Sequence, residues 1–394
     1  MAATPDDSGG VTGSAHPQEG DQVTGRRRPS RRGWMLLISG ATTAALLVLA
    51  LLLPVPFVKM APGPTFNVIG AQDGQDVILI EDTTTYPVTG ALDMTTVLES
   101  GGPRGGLTFV DALASWLDPS DAVVPRELLF PDDITGEEVR SRQAALFSTS
   151  GSNAIAAALN HLDLPVRTSV VVNAVYEGTP ASGLFQTRDE IVAVNGQPVQ
   201  APSDVVDAVR NQPIGTVLEF TVRRAVEEES TEDGEAAEPA VEELSVTITS
   251  ADNPDDPGVP YLGIGVGELY AADFPITFTL EDVGGPSAGL TFAMGIVDKL
   301  TPIDLTAGQH VAGSGTITPT GEVGPIGGIR QKLAGAREAG ATLFLMPVEH
   351  CAESEGHIPD GLTVTPVATL SEAISAVEAF AAGAPVPTCP VDSA

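Results

Sequence analysis

A long apolar run near the N-terminus is the most prominent hydropathy feature of the chain. No residue between Arg32 and Lys59 is charged, and at 1.5 Å per residue these 26 positions exceed the ~30 Å hydrocarbon core of a bilayer. Trp34 stands where an interfacial aromatic anchor belongs. We therefore expect a transmembrane helix over residues 34–58. The length of the run disfavours the alternatives, which are a cleaved signal peptide and a buried core helix.

Basic residues predict the orientation of this helix. Five arginines lie between residues 26 and 32, at the end of a polar segment, residues 1–33, that has almost nothing to bury. Positively charged flanks stay on the cytoplasmic side of a membrane. We expect residues 1–33 to be a disordered cytoplasmic tail. The chain from residue 59 onwards should lie outside the cytoplasm, as a single-pass protein of the cell membrane.

Strand and helix periodicities follow, which predicts a multidomain α/β (α+β) protein. Residues 59–165 form an α/β region with no catalytic signature, and we expect it to have a packing role. Its predicted elements are strands at 77–80 and 92–97 and helices at 111–117 and 137–162, the second helix being interrupted at 148–152.

Short strands and turns characterise residues 166–250. The segment 178–184 is expected to form a turn that leads into a short helix, Asn195-Gly196 to close a hairpin, and Ser203 to cap another helix. Within this region, the insert 227–243 contains nine acidic residues. Because such a run repels itself, we expect an expanded, solvated hairpin loop there.

This part of the chain resembles a bacterial PDZ domain. The carrying residues are Gly-Thr-Pro-Ala-Ser-Gly-Leu at 178–184 and Asp-Glu-Ile-Val-Ala-Val-Asn-Gly at 189–196, with Arg188 where such domains often have glycine. The resemblance implies that extended peptides, including C-terminal tails, add to a sheet edge. The alternative is a domain that only spaces the anchor from the region after it.

The overall charge bears on the choice of partners. The chain has 52 acidic and 19 basic residues, for a net charge of −33. A protein this acidic repels phosphate backbones, so we expect no nucleic acid partner.

Ser287 is the first candidate for chemistry, in the region 251–386, which a tail at 387–394 follows. A strand pattern at 276–280 runs into Gly284-Gly285-Pro286-Ser287, and a helical pattern begins directly afterwards. The free amides and positive dipole of a helix N-terminus favour a developing oxyanion. The alternative is a serine that serves only as a helix cap.

Lys332 is the candidate base. It follows Gly327-Gly328 on the first turns of a predicted helix, on a face of small residues with Gly328 and Ala336. The chain uses lysine three times and arginine sixteen times. Arginine cannot be deprotonated, whereas a buried lysine can lose its proton near neutral pH. The alternative is an exposed helix lysine.

Together these segments resemble the proteolytic domain of Lon (endopeptidase La) over about residues 261–380. The motifs are Gly-Pro-Ser-Ala-Gly at 285–289 and Pro-Ile-Gly-Gly-Ile-Arg-Gln-Lys at 325–332. With its anchor and PDZ domain, the chain is similar to the membrane-anchored, PDZ-containing Lon-like proteases of bacteria. The resemblance implies Ser287 as nucleophile and Lys332 as general base. It also implies supporting roles for Gly285, Ala288 and Ser314, the last standing where Lon has a threonine.

Two departures from Lon are visible. Lon has an acidic residue at the position of Gly284, and the nearby Asp282 is out of register, so that role is not carried over. A Walker A loop requires a Gly-Lys pair, and residues 58, 298 and 331, which precede the three lysines, are not glycine. We therefore expect no ATP requirement and no cofactor. Lon-type domains commonly form rings, so a homo-oligomeric ring is a further expectation.

Cys351 and Cys389 are the two cysteines of the chain. Disulfides persist outside the cytoplasm, so we expect the two to be bridged. We expect no metal site, because the nearby His350 and His357 lack a compact ligand spacing.

The function that these features predict is an ATP-independent, membrane-anchored serine endopeptidase that cleaves extracytoplasmic proteins or peptides. An esterase is one alternative, because Gly-Pro-Ser-Ala-Gly also fits the Gly-x-Ser-x-Gly elbow, with His310, His350 or His357 as base. A non-catalytic PDZ adaptor on a protease-like fold is the other.

Overall fold

The computed structural model describes residues 30–102, 105–130, 135–226, 240–280 and 283–389. It divides the chain into two units, Met1–Leu53 and Pro54–Ala394. The helices are α1 Arg31–Leu52, α2 Phe109–Leu117, α3 Arg126–Leu129, α4 Gly136–His161, α5 Pro202–Arg210, α6 Gly289–Leu300, α7 Ile329–Glu338, α8 Cys351–Ser354 and α9 Leu370–Ala381, with a 3-10 turn at Val348–His350.

The strands of the second unit are mostly short. In chain order they are β1 Pro54–Val55, β2 Phe57–Asn67, β3 Ala71–Gln72, β4 Gln75–Asp76, β5 Ile78–Ile80, β6 Ala91–Ser100, β7 Leu107–Thr108, β8 Ala122–Pro125, β9 Arg167–Val175, β10 Glu190–Val194, β11 Gln197–Pro198, β12 Val217–Val226, β13 Ala240–Thr249, β14 Ala251–Asp252, β15 Pro260–Tyr261, β16 Ile264–Ala271, β17 Ile276–Phe278, β18 His310–Gly313, β19 Thr316–Ile317, β20 Val323–Gly324, β21 Leu343–Pro347 and β22 Thr363–Val367.

The first unit contains the apolar helix α1. It has 22 residues and a mean hydropathy of 2.3, and its side chains are not buried within the structure. By length and composition it could cross a membrane or serve as a signal sequence. The helix ends at Leu52 rather than at residue 58, because Pro54 and Pro56 cannot continue it. Most of the expected tail, residues 1–29, lies outside the described residues.

A six-stranded sheet forms the centre of the second unit. Its order is β22-β21-β18-β6-β2-β8, with parallel pairing from β22 to β6 and antiparallel pairing from β6 to β8. Alternate residues of β21 face opposite sides: Leu343 and Leu345 pack in a core that includes α4, α6 and α9, whereas Phe344 and Met346 pack with α7. Both faces of the parallel strands are therefore covered by helices.

This sheet changes the expected division of the chain. Residues 59–165 were expected to be a region of their own, but their strands β2 and β6 pair in one sheet with β18, β21 and β22. The β6–β18 pairing joins Leu92 to Val311, two fully buried residues. Long-range pairing of this kind depends on tertiary structure, which local periodicity does not encode.

A second sheet lies between α4 and β17 in sequence. Its order is β13-β12-β10-β9-β16, with β11 beside β10, around its own apolar core that includes Phe185 and Phe220. The expected boundary at residue 250 cuts this sheet, because β16 pairs with β9 along its whole length. The chain then returns through β17, which pairs with β5. The smaller sheet is thus an insertion within the larger α/β fold.

Several local expectations differ from the structure. The helix α4 is continuous through residues 148–152, and residues 178–184 form turns without a helix. Ala201, not Ser203, precedes α5, and the Asp204 carboxylate accepts the amides of Gln200 and Ala201. In the acidic insert, residues 227–239 lie outside the described part, while 240–243 belong to β13.

Candidate active site

Two tight turns position Ser287 and Lys332. Ser287 immediately precedes Ala288, the N-cap of α6, and follows Gly285, whose φ of +93° lies in the region that favours glycine. Lys332 lies on the first turn of α7, after Gly328 with a φ of +69°. A Cβ at Gly328 would stand 2.6 Å from Val97, so glycine also permits close packing there. These turns bring Lys332 Nζ to 2.8 Å from Ser287 Oγ.

Ser314 completes a hydrogen-bonded group of three side chains. It directly follows β18 and is fully buried, with its Oγ 2.9 Å from Lys332 Nζ and 3.1 Å from the Ser287 carbonyl oxygen. A carbonyl only accepts, so the Ser314 hydroxyl must donate to it and accept from Lys332. This arrangement turns one N–H of the lysine toward Ser314 and leaves its lone pair available toward Ser287.

The lysine has an electrostatic environment suited to a base. Its side chain is 3% exposed, and burial lowers the pKa of Lys332 from 10.5 to about 7. Desolvation disfavours the ammonium form, and no ion pair to a carboxylate restores it, since among the described residues the polar partners of Nζ are the two serines. A substantial fraction of the side chain is therefore neutral near pH 7.

The turn before Ser287 is held by α4, which the sequence did not connect with the site. The Gly285 amide donates to the Gln143 carbonyl at 3.0 Å, and Ser150 Oγ donates to the Pro286 carbonyl at 2.9 Å. Ser150 belongs to the polar run that was expected to interrupt the helix. Within the described residues, the N–H groups of Ser287 and Ala288 have no acceptor in the protein, so they are available to a ligand.

An open cleft of about 600 Å³ contains this group. The strand β6 lines one part of it through residues 94–99, and the loop Pro325–Gly327 lines another. Among the described residues, the charged side chains in its lining are those of Glu99 and Lys332, and burial raises the pKa of Glu99. The cleft is large enough for several residues of an extended peptide.

The histidines lie elsewhere. His310 Nε2 contacts Asp93 Oδ2 at 2.7 Å, and His350 Nε2 accepts the Ile326 amide at 2.9 Å while its Nδ1 faces Glu353. Among the described residues, neither these nor His357 is hydrogen-bonded to Ser287. The role of His350 in holding the cleft loop was missed, because a contact between residues 24 positions apart leaves no local pattern.

The two cysteines and the acidic and histidine side chains remain to be placed. Cys351 and Cys389 are joined by a disulfide, with Cα atoms 5.5 Å apart. In the described ranges, no group of three or more His, Cys, Asp or Glu side chains is arranged to hold a metal ion. Asp282 lies outside the described residues.

Comparisons with known proteins identify the domain types of two regions of the chain. Residues 281–379 match the Lon protease (S16) C-terminal proteolytic domain, and residues 171–224 match the PDZ domain. The chain thus carries a Lon-type serine-peptidase domain together with a PDZ domain, and the prediction of that combination is confirmed.

Individual relatives agree over the first of these regions. The chain is 38% identical over 100 residues to Lon protease 1 of Hydrogenovibrio crunogenus and 40% identical over 92 residues to Lon protease of Fusobacterium nucleatum. These alignments cover 24% and 23% of this chain and 12% and 11% of the relatives, so the chain spans about an eighth of their length.

Solved structures similar to the chain include the PDZ domain of an SdrC-like protein from Listeria innocua. That structure is 19% identical with a TM-score of 0.19, covering 25% of this chain and 92% of the other.

Proposed function

We propose that this protein is an ATP-independent, membrane-anchored serine endopeptidase in which Ser287 is the nucleophile and Lys332 the general base. The observation that carries the proposal is the Ser287–Lys332–Ser314 group, with a lysine whose pKa burial lowers to about 7. A serine hydroxyl is a weak nucleophile until a neighbouring base removes its proton. A neutral lysine 2.8 Å away can do so.

The steps follow from the contacts. Lys332 Nζ takes the Ser287 Oγ proton as Oγ attacks the substrate carbonyl, and the resulting ammonium is stabilised by the Ser314 hydroxyl. The free N–H groups of Ser287 and Ala288 are placed to bind the oxyanion. Lys332 then gives its proton to the leaving amine, an acyl-enzyme forms on Ser287, and water activated by the same lysine hydrolyses the ester.

Proteins or peptides are the substrates that the two domains favour. The cleft is open, and β16 stands at the edge of the smaller sheet with α5 packed beside it. An extended segment could add to the N-terminal part of this edge, as in other PDZ domains, whereas the Tyr270 amide and carbonyl near its C-terminal end are hydrogen-bonded to Ser152 of α4. We infer that the PDZ domain recruits substrate and that Ser287 cleaves it.

Membrane anchoring is part of the proposal and is supported by α1 and the arginines before it. The length and hydropathy of α1 suit a bilayer span, and the arginine cluster favours a cytoplasmic N-terminus. Protease added outside intact cells should then digest the region after residue 59 and spare the N-terminus. Protection of the C-terminal domains would contradict this topology.

The activity is tested with the full-length protein reconstituted in liposomes and an internally quenched peptide library, without ATP. We expect turnover by the wild type and none by Ser287→Ala, Lys332→Ala or Lys332→Arg, because a guanidinium stays protonated. Lys59→Arg, which preserves an ion pair with Asp121, is the matched control.

Three outcomes would contradict the proposal. Undiminished turnover by Lys332→Ala would remove the lysine from the mechanism, and cleavage of simple esters but not peptides would favour an esterase. Peptide binding by the wild type without any turnover would favour an adaptor.

A further inference from the structure

The helix α2 presents its apolar residues to the outside. Phe109, Val110, Leu113, Trp116 and Leu117 are all exposed, Trp116 at 75% and Leu117 at 71%. At about 100° per residue these five positions form one stripe roughly 120° wide. A surface helix normally turns such a stripe toward the core, so α2 has the reverse arrangement.

The remaining residues of α2 show which side of the helix faces the protein. Its buried position is Ser115, and Ala112 is half-buried beside it. Thr108 caps the helix, and its hydroxyl donates to the Asp111 carboxylate at 2.7 Å. The burial of Ser115 and the half-burial of Ala112 thus place the apolar stripe on the outward side of the helix. An exposed apolar patch of this kind marks a surface that contacts a partner or a membrane.

Covalent connectivity indicates what the stripe contacts. Leu53 alone separates α1 from β1, and Pro54 of β1 pairs with Thr108, the N-cap of α2. Consecutive Cα atoms are ~3.8 Å apart and paired strand residues ~5 Å apart. The beginning of α2 therefore stays within roughly 17 Å of the last residue of α1, whatever the orientation of the two units.

The side-chain chemistry favours lipid. Tryptophan, the type of Trp116, is enriched at membrane interfaces, and phenylalanine and leucine, as at Phe109 and Leu113, are typical of the apolar face of an interfacial helix. The helix α2 contains no lysine or arginine. Acidic residues at 111 and 118 would repel an anionic surface. The apolar stripe thus suits the acyl-chain boundary of a zwitterionic lipid surface, where contact depends on apolar burial and not on headgroup charge.

We propose that α2 lies in the interface of the bilayer that α1 spans, with Trp116 and its neighbours inserted at the level where headgroups meet acyl chains. The inference rests on the proposed membrane anchoring. It gives the protease domain a second contact with the membrane.

The two tryptophans of the chain allow a direct test, because Trp34 lies in α1 and Trp116 in α2. Full-length Trp34→Phe protein reports on Trp116 alone, and Trp116→Phe protein reports on Trp34 alone. Each is reconstituted in phosphatidylcholine vesicles whose acyl chains are brominated either near the headgroup or near the methyl end. We expect both lipids to quench the fluorescence of Trp116, and the lipid brominated near the headgroup to quench it more strongly. The extent of quenching should not depend on salt concentration.

Control variants and the second reporter separate the outcomes. In the Trp34→Phe protein, Leu113→Gln with Leu117→Gln should reduce the quenching of Trp116, whereas Ile214→Gln, at an exposed site in the smaller domain, should not. Quenching of Trp34 but not of Trp116 would overturn the inference and leave the anchor intact. If neither tryptophan were quenched, both the inference about α2 and the membrane anchoring by α1 would be overturned. Protection of Trp116 from aqueous iodide without quenching by bromolipid would mean that protein, such as a second copy, covers α2, and would also overturn the inference.

Discussion

Ser314→Ala tests the part of the site that the resemblance to Lon left least certain. The change removes the acceptor for one N–H of Lys332 and the hydroxyl that donates to the Ser287 carbonyl. That carbonyl keeps the Gly315 amide at 3.0 Å, so the backbone around Ser287 should hold. The main loss is orientation of the lysine. Loss of a hydrogen bond to a buried, charge-bearing group weakens the transition state by ~1–3 kcal/mol, which lowers kcat/KM about 5- to 150-fold.

The pH profile of the same variant distinguishes this role from a merely structural one. The Ser314 hydroxyl accepts from the protonated lysine, so its removal disfavours the ammonium form and should lower the pKa of Lys332 further below its ordinary value. The acid limb of kcat/KM, measured with a peptide that does not titrate, should therefore move to lower pH while the plateau falls.

Two further variants complete this experiment. Ser314→Thr keeps the hydroxyl and should retain most of the activity. Ser250→Ala removes a buried hydroxyl that accepts the Gly215 amide in the smaller domain, and controls for a general loss of stability. Wild-type kcat/KM and an unchanged acid limb in Ser314→Ala would refute the orienting role.

Three other predictions concern stability and the cleft loop. Burial lowers the pKa of Lys332 from 10.5 to about 7, so between these pH values the unfolded chain binds more protons than the folded chain. The free energy of unfolding of the wild type should therefore rise with pH between pH 7 and pH 10.5. The Lys332→Met variant lacks this group and should not show the rise. At pH 7 the free energy of unfolding of Lys332→Met, measured by denaturant titration, should exceed that of the wild type by on the order of 2 kcal/mol, once the loss of the hydrogen bonds to the two serines is subtracted. A variant less stable than the wild type would argue against a buried amine. Replacing Cys351 and Cys389 by serine should lower the free energy of unfolding by ~2–4 kcal/mol, and reductant should do the same only to the wild type. His350→Phe removes the acceptor of the Ile326 amide and should raise KM more than it lowers kcat, whereas an unchanged KM would show that the loop does not need this contact.

Structural features that depend only on neighbouring residues in the chain could be predicted from the sequence. The Gly-Pro-Ser turn before α6 and the Gly-Gly turn before α7 both appear as expected, because each needs a particular residue at a particular backbone angle. The scarcity of lysine in the chain favoured Lys332 as a candidate base, and its side chain is buried in the structure.

Features that depend on distant segments were not predicted. The strand β16 completes the smaller sheet although the pattern placed it in the next domain, and β2 and β6 complete the larger sheet although they precede the insertion. The polar run in α4 resembled a helix break because local propensity disfavours it. In the fold, Ser150 is satisfied by the Pro286 carbonyl, so tertiary contacts override the local preference.

The rate at which Ser287 reacts with a fluorophosphonate probe, followed by mass spectrometry as a function of pH, tests the central claim most directly. The proposal predicts modification at Ser287, with a rate that rises to a plateau through an ionisation near the pKa of Lys332, about 7, and that is lost in Lys332→Ala. Labelling of Ser287 in Lys332→Ala at the wild-type rate, or modification of a different serine, would contradict it.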